Sequence, residues 1–253
     1  MYEENKYLQR VQALGGYYDC RKFDGKRCDP LVGYTARDEQ NRQFVGETYI
    51  NFAVVEEYPD DVNNIARDLM PLHVSDHCDG YCGAPEGGKA LAFALAAHAR
   101  KRYIYPGAKV LVAATETSRE ISEMVFGRHK PGPGERWWIV EDVCNNFSTT
   151  SALVKLIESY GAEVVGIICF LNRSLKVDTV YTTDSGQELP VVALVFKPIP
   201  EYRQDDPEVA EDIKNGNVVW KPKDDWAKLE ASKQRPMCVL VPKNCAETRT
   251  EIH

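Results

Sequence analysis

Two stretches of the chain are apolar without alternation: Trp137–Val140 (WWIV) and Glu163–Leu171 (EVVGIICFL). That is the pattern of strands covered on both faces. Between them Leu153, Leu156, Ile157 and Tyr160 recur at i, i+3, i+4 and i+7, which predicts an amphipathic helix, and Gly161 suits its C-terminal cap. Strand, loop, helix and strand make a βαβ unit, so a parallel sheet is expected with its ligand site at the strand C-termini. Upstream, Asp79–Cys82 reads as a short strand followed by GAPEGG and an Ala-rich helix ending near Arg102. Lys109–Ala114 reads as a strand, Glu116–Glu123 as a helix and Met124–Arg128 as a further strand. Pro59, with Asp60 and Asp61 behind it, opens a helix running to about Met70. Residues 1–13 suit a short helix, and the turn-rich text from Cys20 to Asn51 ends in a half-buried alternation at Thr48–Phe52. Beyond Pro198 the pattern dissolves into charged text with one or two short helices. The organisation expected is an N-terminal cap over 1–58, an α/β core over 59–198 and a C-terminal extension over 199–253.

Composition narrows the class. Of 253 residues, 43% are hydrophobic and 27% charged, the balance of a globular rather than a disordered chain. The net charge of −7 argues against a nucleic-acid-binding surface. The longest apolar runs, ALAFALAA from Ala90 and VVALVF from Val191, fall short of a membrane span. MYEENKYLQR has no apolar signal region, so a cytoplasmic location is expected, with the eight cysteines as reduced thiols.

The chemistry gathers after WWIV. Glu141 and Asp142 end a buried strand, where adjacent carboxylates can hold sugar hydroxyls or a metal. Cys144–Thr150 follows with backbone amides and the hydroxyls of Ser148, Thr149 and Thr150 at a helix N-terminus, a phosphate site by geometry and dipole. The same residues also suit a plain acidic turn with a Ser/Thr N-cap.

IVEDVCNNFSTTSALVKLIESYGAEVVGIICFLNR resembles the ribose-phosphate signature of type I phosphoribosyltransferases, particularly orotate phosphoribosyltransferases. That signature is an apolar strand, an acidic pair, a Thr-Thr-Gly-Gly-Ser/Thr-like loop, a helix, and a second strand ending in Asp-Arg. CGAPEGGKALA at Cys82–Ala92 resembles the family's pyrophosphate loop, and VGETYINF at Val45–Phe52 its Ser-Gly-x-x-Ser-x-Tyr-x-Asn segment. The likeness runs from about Gly16 to Arg173. It implies a parallel-sheet type I phosphoribosyltransferase core and transfer of a nucleobase, orotate by analogy, to phosphoribosyl pyrophosphate with release of pyrophosphate. It further implies Mg²⁺ bound with substrate near Asp142, and a homodimer.

Carried over residue by residue, the resemblance gives Asp142 and Glu141 the ribose hydroxyls and gives Asn145, Asn146, Phe147, Ser148 and Thr149 the 5′-phosphate. Gly83, Gly87, Gly88 and Lys89 receive pyrophosphate, Arg128 and Lys130 add positive charge, and Arg173 faces the base. The chain departs from the pattern at four places. Asn145-Asn146 replaces Thr-Thr. Phe147-Ser148 replaces Gly-Gly, so Phe147 is expected to redirect the loop or cover the sugar. Asn172 replaces Asp. The family's long basic lid is represented by GRHKPGPGERW, a tight turn by its composition. A lid so short leaves open a non-catalytic sensor of phosphoribosyl pyrophosphate or a nucleotide.

Two rival motifs carry less. Gly83–Ala90 is one residue from a P-loop, but Ala90 lacks the hydroxyl that ligates Mg²⁺ and Glu86 would repel a triphosphate. His73, Asp76, His77, Cys78 and Cys82 suggest zinc. Yet Cys78 and Cys82 on one strand would be about 13 Å apart at ~3.3 Å per residue, too far to share an ion. Trp137 and Trp138 are expected to be packing residues.

Overall fold

A computed structural model describes residues 5–73, 75–107, 110–112 and 121–234. They form two compact units, one from the described residues of Met1–Gly16 and Asn51–Ile199, the other from those of Tyr17–Ile50 and Pro200–His253. The second unit therefore unites stretches that the sequence set apart as cap and extension, while residues 5–16 and 51–58 go with the core.

The larger unit contains α1 (Lys6–Ala13), α2 (Pro59–Leu69), β1 (Gly80–Gly83), α3 (Gly88–Ala99), β2 (Arg102–Ile104), β3 (Val110–Val112), β4 (Ile121–Glu123), β5 (Arg136–Cys144), α4 (Ser148–Glu158), β6 (Glu163–Asn172), β7 (Val180–Thr182) and β8 (Glu188–Phe196). Six strands make one sheet in the order β7-β8-β6-β5-β1-β2. All neighbours are parallel except the antiparallel edge pair of β7 and β8. This mostly parallel sheet with helices is the α/β architecture that the two apolar runs imply.

Two indoles pin the register. Trp137 pairs across with Gly80 of β1, and Trp138 with Gly166 of β6. A Cβ on Gly80 would lie 2.4 Å from the Trp137 ring, and one on Gly166 would lie 2.1 Å from the Trp138 ring. Each indole thus occupies the room left by a missing side chain on the neighbouring strand, and a one-residue slip would lose both fits. Trp137 and Ile139 pack in a core with Leu153, Ile157, Val164 and Ile167. Trp138 meets the His73 ring edge-on at 5.3 Å. Both tryptophans are packing residues, as expected. α2 follows its sequence signals closely, with Pro59 at its start, Asp60 and Asp61 in the first turn, and Val62, Ile65, Ala66 and Leu69 buried.

Residues 105–135, between β2 and β5, depart from expectation. β3 and β4 pair antiparallel, Val112 opposite Ile121 and Val110 opposite Glu123. Below them Pro106 bridges Phe126, and Gly107 N–H donates to the Val125 carbonyl at 2.6 Å. The described residues 105–107, 110–112 and 121–126 thus pair with one another beyond the end of β2. Within Lys109–Ala114, read as a strand, Val110–Val112 is strand; of the helix expected over Glu116–Glu123 only 121–123 are described, and they are strand, while the strand expected at Met124–Arg128 is a single bridge at Phe126. Residues 113–120 lie outside the described residues.

In the smaller unit the strand Leu31–Arg37 pairs with Gln43–Gly46 and with Val218–Val219, and Tyr18, Cys20, Val32, Tyr34, Val219 and Leu229 form its core. Arg27 bridges Glu47 at 2.7 Å and Asp212 at 3.1 Å, tying its two stretches of chain together. Among the described residues no helix is long and apolar enough to cross a membrane.

Candidate active site

Parallel register brings three loops to one edge of the sheet. Gly83, the last residue of β1, lies opposite Val140, while Cys144, the last of β5, lies opposite Asn172, the last of β6. Backbone hydrogen bonds continue past the strand ends: Ala84 N–H donates to Val140 O at 2.8 Å and Arg173 N–H to Cys144 O at 2.9 Å. The loops after β1, β5 and β6 thus converge at the C-terminal edge, where Glu141 and Asp142 lie in the last turn of pleat before β5 ends at Cys144.

Glu141 is buried and Asp142 half-buried. The Asp142 carboxylate lies against the backbone of Gly87: a Cβ there would be 2.2 Å from Oδ2 and 2.6 Å from Oδ1. Gly87 has φ −72° and ψ −23°, open to any residue, so its absent side chain supplies space rather than conformational freedom. Gly88 is seated beneath the Val140 carbonyl, where a Cβ would come within 2.1 Å of the oxygen. Lys89, in the first turn of α3, pairs through Nζ with Glu86 Oε2 at 2.7 Å and stands 5.1 Å from the centre of the Tyr105 ring. Gly83, Gly87, Gly88 and Lys89 are therefore gathered around the acidic pair.

The loop after β5 is short. Phe147 N-caps α4 in the left-handed region, φ 59° and ψ 18°, the conformation glycine takes at no steric cost. Its ring is buried and stacks on Tyr181 with centroids 5.1 Å apart and planes 12° apart. It therefore packs under the loop into the core, and the expectation that it covers the sugar is corrected. Burial of a whole aromatic ring offsets an αL cost of about 1–2 kcal/mol. Asn146 Oδ1 accepts from Ser148 N–H at 3.1 Å, and Ser151 N–H bonds back to Phe147 O. The amides of Thr149 and Thr150 fall in the first turn, where a helix has no internal acceptors to offer. Together with the helix dipole they favour an anion. Beside them the Cys144 thiol is fully buried, and its hydrogen bond to Cys169, reinforced by burial, holds it protonated well above the ordinary thiol range.

Asn172 explains its own departure from the Asp-Arg pattern. Its Nδ2 donates to the carbonyls of Val177 and Asp178, both at 2.9 Å, and its Oδ1 accepts from Ser174 N–H at 3.0 Å. A carboxylate could make only the last of these bonds. The loop 173–178 is folded around an amide, and it carries the buried Arg173 beside the start of the phosphate-type loop.

Lys130 belongs elsewhere. Its carbonyl accepts from Arg102 Nη2 at 3.3 Å, and its Nζ stands 5.7 Å from the Tyr160 ring centre. Arg102 begins β2 and pairs with Glu135, directly before β5, while Tyr160 lies three residues before the start of β6. Lys130 is therefore at the N-terminal edge of the sheet, about 16 Å from Glu141 at ~3.3 Å per residue. Arg128 is exposed on the segment leading there. The sequence placed both at the site; the contacts of Lys130 place it at the opposite edge of the sheet. Tyr105 and Tyr181, which brace Lys89 and Phe147, were missed because nothing in the local pattern marks them.

The rival readings gain nothing. His73 is engaged on both sides, Nδ1 with Leu69 O at 3.0 Å and Nε2 with the Tyr81 hydroxyl at 2.8 Å. Cys82 is buried in β1, which pushes its thiol up. Among the described residues no group of three His, Cys, Asp or Glu is arranged to hold a metal ion. The donors at the C-terminal edge are the carboxylates of Asp142 and Glu141, oxygen ligands of the kind Mg²⁺ takes.

No protein-family model matches the chain. Among curated proteins it is similar to the orotate phosphoribosyltransferase of Chlorobium phaeobacteroides, 28% identical over 106 residues, covering 36% of this chain and 55% of the relative. It is also similar to that of Caldanaerobacter subterraneus, 27% identical over 128 residues, covering 51% of this chain and 62% of the relative. The chain thus matches little more than half the length of these relatives. Among solved structures, Leishmania donovani UMP synthase matches with TM-score 0.51 at 16% identity, over 90% of this chain and 42% of that one. Orotate phosphoribosyltransferase from Aeropyrum pernix matches with TM-score 0.50 at 13% identity, over 75% of this chain and 93% of that one. The converging loops and these likenesses agree: the chain has the type I phosphoribosyltransferase fold and resembles orotate phosphoribosyltransferases in sequence.

Proposed function

We propose that the chain is a phosphoribosyltransferase, joining a nucleobase to ribose C1 of phosphoribosyl pyrophosphate and releasing pyrophosphate. One observation carries the reading: the Asp142 carboxylate rests on Gly87, so the acidic pair and the β1 loop face one ligand volume together. A ribose between them would present its hydroxyls to Asp142 and Glu141 and its C1 pyrophosphate to residues 83–88 and Lys89. The first-turn amides of α4, with Asn145–Thr149, would take the 5′-phosphate. As the C1–oxygen bond breaks and the base nitrogen closes on C1, positive charge grows on the sugar, and the two carboxylates stabilise it. Mg²⁺ bound with the pyrophosphate at Asp142 would neutralise the leaving group.

Arg173, beside the phosphate-type loop, would pair with a carboxylate or carbonyl of the base. Orotate, which carries both, is the base we favour, which would make the product a pyrimidine nucleotide. The paired strands β3 and β4, which follow the end of β2, would supply the cover that the short GRHKPGPGERW turn cannot. A cytoplasmic homodimer goes with this reading. The test is incubation of the full chain with phosphoribosyl pyrophosphate, Mg²⁺ and a panel of bases while pyrophosphate is measured. Release with orotate, lost at least about 10²-fold in Asp142→Asn/Glu141→Gln, is expected. Binding of phosphoribosyl pyrophosphate without release for any base would make the chain a sensor instead.

A further inference from the structure

We propose that Glu86 is a built-in counter-anion that competes with pyrophosphate for Lys89 and so lets the leaving group go; this rests on the pyrophosphate reading of the β1 loop. Glu86 projects from that loop with its side chain 81% exposed, so the fold does not need its carboxylate. Its partner differs: Lys89 is only 26% exposed, held between Glu86 Oε2 at 2.7 Å and the Tyr105 ring 5.1 Å away. A lysine in a first helical turn opposes the helix dipole, so it does not serve α3's own stability. Its position is instead that of a cation for an anion at the loop, and in the ligand-free chain that anion is Glu86.

Pyrophosphate carries more charge than one carboxylate and would displace it. The exposed Glu86 side chain can swing into water at little cost. When pyrophosphate dissociates, Glu86 re-forms the pair, so Lys89 is never left without an anion. Glu86 is then a positioning residue acting through Lys89, and it limits how tightly the product is held.

Calorimetry on the full chain with inorganic pyrophosphate and Mg²⁺ tests this, with ribose 5-phosphate as the second probe. Glu86→Gln should bind pyrophosphate about two- to fivefold tighter than the unaltered chain, since removing an exposed competitor is worth no more. The gain should shrink in high salt. Ribose 5-phosphate affinity should stay unchanged, because its phosphate uses the α4 N-terminus. Lys89→Ala should weaken pyrophosphate binding, and adding Glu86→Gln to it should restore nothing. A purely structural role for Glu86 predicts no gain in affinity. Equal pyrophosphate affinity in Glu86→Gln and the unaltered chain overturns the proposal while leaving the site reading intact. Failure of both proteins to bind pyrophosphate, with ribose 5-phosphate still bound, overturns the pyrophosphate reading of the loop and the proposal with it.

Discussion

Gly87 and Gly88 are adjacent and equally crowded, yet a methyl group on each should act on different properties. At Gly87 the added Cβ would sit 2.2 Å from Asp142 Oδ2 and 2.3 Å from its Cγ. Ordinary carbon–oxygen contact requires the carboxylate to retreat by roughly 1 Å. The backbone of Gly87 already has helical angles, so alanine adds no strain there. A half-buried carboxylate end can rotate away, so stability should change by less than about 1 kcal/mol, with an entropic gain near 0.4–1 kcal/mol opposing the clash. Function should not escape: a displacement of 1 Å in a group that holds the reacting sugar costs on the order of 10²-fold in turnover. At Gly88 the Cβ would meet the Val140 carbonyl oxygen at 2.1 Å, and a strand backbone cannot rotate aside. Overpacking of that kind costs about 1–3 kcal/mol, and melting should fall by roughly 3–10 °C. Thermal melts with phosphoribosyl pyrophosphate binding and pyrophosphate release, run on both variants, decide it. Gly87→Ala retaining turnover within threefold, or melting as early as Gly88→Ala, would refute the placement of Asp142 over the loop.

Three further outcomes follow from the same geometry. Phe147→Ala loses a buried ring, costing about 3–5 kcal/mol, and keeps the left-handed backbone; Phe147→Gly should be less damaging by about 1 kcal/mol in urea titration, and equal losses would remove the strain argument. Asn172→Asp faces a carboxylate with the carbonyls of Val177 and Asp178 and should cost about 3 kcal/mol at pH 7, with part regained in acid as the carboxyl protonates; an unchanged melting point would contradict the hydrogen bonds described. Burial lowers the His73 pKa below its ordinary 6.5, so its contribution to stability is complete above pH 6.5 and is lost as pH falls from there through the folded-state value. His73→Gln should flatten the decline in melting temperature between pH 6.5 and 5, and an unchanged slope would show that other groups cause it.

The central βαβ unit was legible because its information is local and redundant. Trp137–Val140 and Glu163–Leu171 have no polar face, and Leu153, Leu156 and Ile157 mark one stripe between them. The glycines that seat the indoles were not legible, because Gly80 and Gly166 acquire meaning only when the register puts them opposite Trp137 and Trp138. The smaller unit escaped for a related reason. Its sheet joins Leu31–Val32 to Val218–Val219, a two-residue pairing across almost the whole chain, and two residues carry no periodicity. Of the paired strands β3 and β4, the first falls within the apolar run Lys109–Ala114, whereas β4 was hidden because it is only three residues long.

The misplacement of Lys130 has a different cause, and topology alone could have prevented it. Residues just before a parallel strand sit at its N-terminal edge, whereas the acidic pair sits at the C-terminal end of the same strand. GRHKPGPGERW runs directly into β5, and Lys130 accordingly lies about a strand length from Asp142. The departures at Phe147 and Asn172 teach the converse. Each looked like the loss of a motif residue, yet each is matched by a partner outside the motif: the Tyr181 ring for Phe147, and the carbonyls of 177 and 178 for the Asn172 amide. Both partners follow β6, the carbonyls in the loop before the antiparallel edge strand β7 and Tyr181 within β7 itself. The loops at the strand ends are thus fitted around Phe147 and Asn172 by side chains and carbonyls outside the motif, and the Asp142 carboxylate still lies against Gly87.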